Sequence, residues 1–126
     1  MALTRPFAAY NGPGMHVFVC YAHADASLVY PEITLLHERG VNIWYDEGIE
    51  IGQEWRAEIA AALENASTVL FYQSKSSIQS KHCVREIGYA LDRDIPVVRR
   101  FRPSATRLQL VVLSLEAFNA RLTNWL

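Results

Sequence analysis

Four side chains with chemistry to offer stand close together in SKHCVREIGYALDRD (80–94): Ser80, His82, Cys83 and Glu86. A thiol near a helix N-terminus, with an imidazole beside it, can ionise and act as a nucleophile. Cys83, however, falls with Ile87, Ala90 and Leu91 at i, i+4, i+7 and i+8, the spacing of a helix with one face in a core. A cysteine on such a stripe packs. Zinc can be imagined on Cys20, His23, His82 and Cys83, but the spacing is unlike the paired C-x-x-C units of zinc folds, and no metal is expected. Glu86 remains. With Ser80 as N-cap it sits in the second turn, about 60° around the axis from Cys83, on the flank of the apolar stripe. The commonest fate of a helix carboxylate is a surface pair, here with Arg85 or Arg93. A carboxylate at the edge of a core is also a candidate for a perturbed, functional group. Both readings stand on these residues alone.

The elements that must position these groups alternate in type. HVFVCYA (16–22), VNIWYD (41–46), STVLFYQ (67–73) and IPVV (95–98) are apolar, β-branched and aromatic runs that suit strands buried on both faces. Between them lie segments of helical period, marked by Val29, Ile33 and Leu36, by Trp55, Ile59, Ala62 and Leu63, and by residues 82–93. Pro31 is tolerable only near the start of the first. Strand and helix in alternation predict right-handed βαβ crossovers and an α/β open parallel sheet of about five strands with helices on both faces. RLQLVVLSL supplies a fifth strand or part of a helix, and FNARLTNWL a closing helix. Residues 1–14, with Pro6, Gly12, Pro13 and Gly14, are expected to form a flexible leader with no part in the core, and residues 15–126 a single domain.

Composition narrows the function classes. A chain of 126 residues that is 51% hydrophobic has one respectable core and too little length for two ordinary domains. Twelve Lys+Arg against 13 Asp+Glu argue against a general nucleic-acid or anionic-membrane surface. No apolar run has the length of a membrane span, the opening lacks the apolar centre of a signal peptide, and two cysteines are too few for a disulfide framework, so a cytoplasmic setting is expected. A receiver-like domain needs an aspartate where Gln73 ends the third strand, and no P-loop or G-x-G-x-x-G occurs.

An open α/β sheet binds ligands outside the carboxyl ends of its strands. The loops there are AHADAS (22–27), DEGIEIGQE (46–54), SKSSIQSK (74–81) and RRFRPS (99–104). Tyr21 ends the first strand and is a candidate pocket wall, although such aromatics are more often core. Arg99 is the basic residue of the 99–102 run nearest the crevice. Trp44 and Trp55 suit packing.

VFVCYAHAD, GVNIWYDEGIEIGQEW and STVLFYQSKSSIQSKHCVREIGYAL resemble the successive boxes of a Toll/interleukin-1 receptor (TIR) domain of bacterial type, over residues 16–98. The resemblance implies a flavodoxin-like fold. Many TIR domains cleave NAD+ at the nicotinamide–ribose bond, with a glutamate in a pattern like S-x-W-C-x-x-E. Ser80, Cys83 and Glu86 match it, and His82 stands where enzymatic members often have Trp. The implied function is an NAD+ glycohydrolase in immune or antiphage defence signalling, activated by self-assembly. Glu86 would be its catalytic group, and Tyr21, His82, Cys83 and Arg99 its substrate contacts. NAD+ is then substrate, and no cofactor is implied. Departure of nicotinamide leaves an oxocarbenium-like ribose, which a fixed anion stabilises. The matching assembly loop holds Asp46, Gly48, Ile49, Ile51 and Gly52, with an apolar tip in an acidic surround. The partners implied are other TIR domains, in a homo-oligomer or filament, with this domain forming part of a larger multidomain protein. The alternative in the same family is a non-catalytic assembly or adaptor module.

Overall fold

HVFVC forms β1, His16–Cys20, and all five residues are buried. Only a central strand covered on both faces gives that environment. In the computed structural model, which describes residues 4–46 and 55–100, β1 pairs in parallel with β2, Ile43–Tyr45, and on its other side with β3, Ala66–Tyr72. β3 pairs in parallel with β4, Val97–Arg100. The order β2-β1-β3-β4 is that of a flavodoxin-like sheet, whose connections diverge to opposite faces between β1 and β3. The segments expected as a fifth strand and a closing helix lie outside the described residues.

Alternation along the strands sorts the core into two layers. Val17, Val19, Leu70 and Tyr72 point to one face, where α1, Ala26–Glu38, covers them with Val29, Ile33 and Leu36. Phe18, Cys20, Val69 and Phe71 point to the other. There α2, Trp55–Glu64, brings Ile59, Ala62 and Leu63, and α4, Lys81–Asp92, brings Cys83 and Ala90. Each large side chain so buried contributes about 1.5–3 kcal/mol. Trp44 stacks on Phe18 in this second layer at 4.9 Å between ring centroids.

Helix ends are set by local chemistry. α1 closes with Gly40 at φ 88°, its N–H on the His37 carbonyl at 3.0 Å and the Val41 N–H on the Leu36 carbonyl at 3.2 Å. α4 closes in the same way with Asp94 at φ 57°, and there the Ile95 N–H reaches the Ala90 carbonyl at 2.9 Å. Both are Schellman endings, which call for a left-handed residue. The stretch expected as a plain loop after β3 contains the short helix α3, Lys75–Ile78, started by reciprocal hydrogen bonds between Ser74 and Ser77. Pro31 lies in the second turn of α1, deeper than expected. Lacking an N–H, it leaves the Ser27 carbonyl without that intrahelical donor.

One further feature differs from expectation. The opening segment does take part in the core: Phe7 stacks on His37 at 4.1 Å and meets Tyr45 edge-on, and Phe7 and Ala9 pack against the buried clusters. The Tyr45 hydroxyl donates to the Phe7 carbonyl, and the Tyr10 N–H to Ile43 O at 2.8 Å. Aromatic anchors thus outweigh the Pro and Gly punctuation. At the end of β4, Arg100 turns inward and donates to Glu32 of α1 at 3.0 Å, both side chains being buried.

Candidate functional site

Ser80 sets the start of α4, its hydroxyl accepting the Cys83 N–H at 3.3 Å. From that start the helix presents Cys83, Glu86 and Ala90 to the sheet, so Glu86 is 8% exposed while Leu91 is 62% exposed. The buried stripe is rotated toward the carboxylate relative to the one read from apolar spacing. Glu86 lies within it, not on its flank.

Glu86 opens onto a cavity of about 200 Å³ at the carboxyl ends of β1 and β2, lined also by Tyr21, His23, Asp46, Ser80 and His82. The strand order explains the meeting. Tyr21 and His23 follow β1, Asp46 follows the adjacent β2, and α4 starts beyond β3 on the second face. The Tyr21 hydroxyl donates to the Asp46 carbonyl at 2.7 Å and lies 3.1 Å from the Tyr30 hydroxyl. The Asp46 carboxylate in turn lies 3.3 Å from His23 Nε2. Behind them, Ser74 Oγ donates to Asp25 Oδ2 at 2.5 Å, tying the loop after β1 to the loop after β3.

Burial pushes the Glu86 carboxyl from 4.5 up to about 8; a hydrogen bond with the Cys20 thiol opposes this, and the charges of Cys83 and Asp46 add to it. His23 moves up because Asp46 accepts its hydrogen bond, against partial burial. The Cys83 thiol is drawn down to about 7, first by hydrogen bonding with Cys20 and against its burial. Burial raises Tyr21, which stays a phenol. The set combines a buried acid that a cationic ligand would ionise, a polarised imidazole and two aromatic or imidazole walls.

Of the residues expected at the site, Tyr21, His82 and Glu86 share the cavity, and Asp46, the first residue of the expected assembly loop, joins them. Gly48, Ile49, Ile51 and Gly52 lie outside the described residues. Two residues expected as substrate contacts do not line this cavity. Cys83 is 1% exposed and packs with Cys20 beneath the cavity, where its carbonyl accepts from the Cys20 thiol at 3.8 Å. Arg99 is exposed on β4, which β3 separates from β1, and it does not line the cavity. His23 and the inward role of Asp46 were missed. The available signal was their place just past two strands that prove adjacent.

No helix among the described residues is long and apolar enough to cross a membrane. The family model described as TIR domain matches residues 17–123 of the chain. Among solved structures, the chain is similar to the TIR domain of the Toll-related receptor TRR-2 of Hydra magnipapillata, at TM-score 0.58 and 21% identity over 70% of this chain and 71% of that one. It is also similar to the TIR domains of the activated Roq1 resistosome that directly recognises the pathogen effector XopQ, at TM-score 0.59 and 21% identity over 87% and 74%. No curated protein matches it.

Proposed function

Because the chain belongs to the TIR-domain family, we propose that the cavity beside Glu86 cleaves the nicotinamide–ribose bond of NAD+ and that this activity serves immune or defence signalling. The observation that carries the reading is one buried carboxyl facing a cavity at the carboxyl ends of parallel strands. The cavity, at about 200 Å³, suits the nicotinamide–ribose end, leaving the adenylate end outside it. The pyridinium ring of NAD+ brings a positive charge to a carboxyl held near 8, and that charge favours ionisation. As the bond to nicotinamide lengthens, positive charge moves onto the ribose, where the Glu86 anion stabilises it in a poorly hydrated setting. His82 and Tyr21 supply flat walls for the ring and sugar.

The test is chromatography of NAD+ incubated with concentrated protein. Nicotinamide should appear, and Glu86→Gln should slow its release by at least about 100-fold. Undiminished release by the folded variant would remove Glu86 from the chemistry. Self-association through the 46–54 loop is part of the proposal. Specific activity should rise with protein concentration, and Ile49→Glu, which places a charge at the contact, should flatten that rise. The adaptor reading draws on the small volume of the cavity, which lies below the usual range of about 300–1,000 Å³ for ligand sites. Concentration-dependent association with no nicotinamide release at any concentration would favour it.

A further inference from the structure

We propose that His23, held by Asp46, is the general base that takes the proton of the attacking water; this rests on the glycohydrolase reading above. A second group near the water would let Glu86 stay ionised while the ribose is cationic, because an anion that takes the water proton early loses its stabilising effect.

The two candidates differ in depth. Glu86 is 8% exposed, whereas the His23 side chain is 54% exposed, at the mouth where water enters. Asp46 holds the imidazole, and neighbouring contacts hold the turn that carries it and Asp46 itself. His23 opens a 3-10 turn, His23–Asp25, closed by the Asp25 N–H on the Ala22 carbonyl at 2.8 Å. Ser74 holds Asp25 from the neighbouring loop at 2.5 Å. The Asp46 carboxylate faces Nε2 at 3.3 Å, and Asp46 is itself held through its carbonyl by the Tyr21 hydroxyl at 2.7 Å. A carboxylate at Nε2 selects the tautomer with its proton there, which makes Nδ1 the acceptor. It also stabilises the imidazolium that forms, the logic of a hydrolase dyad. Asp46 raises the basicity of His23, as its upward shift reflects.

The step balances. The bond from ribose C1′ to the pyridinium nitrogen breaks, and its electron pair leaves with neutral nicotinamide. A bond from water oxygen to C1′ forms, and the water proton passes to His23 Nδ1. The imidazolium then returns that proton to solvent, one per turnover.

The experiment compares two outcomes of the same bond cleavage. Hydrolysis requires removal of a proton from water. Exchange of isotopically labelled nicotinamide into NAD+ does not, because the incoming ring attacks with a lone pair. His23→Asn, in a protein whose thermal unfolding matches the parent, should lower ADP-ribose formation about 100-fold. Exchange should stay within about threefold of the parent, since cleavage itself needs no base. Equal loss of both activities would make His23 a binding group and overturn the proposal, as would unchanged hydrolysis. A parent protein that neither hydrolyses nor exchanges would defeat the glycohydrolase reading itself. Glu86→Gln is expected to abolish both activities, which separates its part from that of His23.

Discussion

Replacing Glu86 with Gln should stabilise the fold while removing the proposed chemistry, and the gain should grow with pH. Burial raises the carboxyl from 4.5 to about 8, so the native state binds its proton more tightly than the unfolded chain does. Stability from this group is therefore fully present below pH 4.5 and is lost as pH rises through about 8. Each pH unit between the two values is worth about 1.4 kcal/mol. The loss relative to acid conditions thus reaches about 3 kcal/mol at pH 7 and about 5 kcal/mol above pH 9. Gln has no proton to titrate and should erase this dependence. Its amide brings a new donor next to Cys20, with a fixed cost of about 1 kcal/mol, so the informative quantity is the change in slope. Urea unfolding at constant m value, from pH 5 to pH 9, measures it for both proteins. Titrating groups that do not couple to Glu86 cancel in the difference, whereas Cys83, whose charge adds to the shift, contributes in the same window. Parallel stability curves for parent and variant would refute the reasoning, because a solvated carboxyl at position 86 gives no such slope.

The remaining predictions follow from other contacts. If ionised Glu86 is the active form, kcat/KM for nicotinamide release should climb with pH to a plateau just above about 8, while kcat levels off at lower pH because bound pyridinium favours the anion; a kcat/KM independent of pH from 6 to 8 would contradict this. Glu32→Met or Arg100→Met alone should cost about 3–5 kcal/mol by removing one member of a buried ion pair, and the two together should recover most of it, as a thermal double-mutant cycle would report. Asp94→Gly should stabilise by about 0.5–1 kcal/mol, since glycine meets the left-handed ending of α4 without a Cβ penalty. Gly40→Ala should cost about 1 kcal/mol even though a Cβ there meets nothing within 4 Å, because the strain lies in the backbone. Chemical unfolding midpoints distinguish these signs.

What the sequence disclosed, and what it hid, depends on how far apart the cooperating residues lie. Apolar runs placed every described strand within two residues, because central parallel strands leave little room for polar side chains. The Ser80 cap was equally local. The depth of Glu86 was not: apolar spacing admitted Leu91 to the buried face, and only the docking of α4 on β1 and β3 turned Glu86 inward and Leu91 out. Neither Arg99 nor Arg100 differs in type, yet alternation along β4 sends Arg100 to Glu32 and leaves Arg99 exposed. The His23–Asp46 pair spans two strands whose adjacency is a property of topology. α3 escaped notice because KSSI has no apolar period, although the serines that begin it were in view.

The docked opening segment has a consequence for how copies of this domain can associate. Among the described residues β2 is an outer strand of the sheet, and such a strand offers unpaired backbone groups as a template for another chain. Here that strand is three residues long, and one carbonyl, that of Ile43, already receives the Tyr10 N–H of its own chain. Sheet-to-sheet extension on this side is thereby discouraged. A fragment trimmed to residue 17, the boundary of the family match, would lose this protection along with the Phe7 stack. It would offer β2 for strand addition and should aggregate more readily than the longer chain.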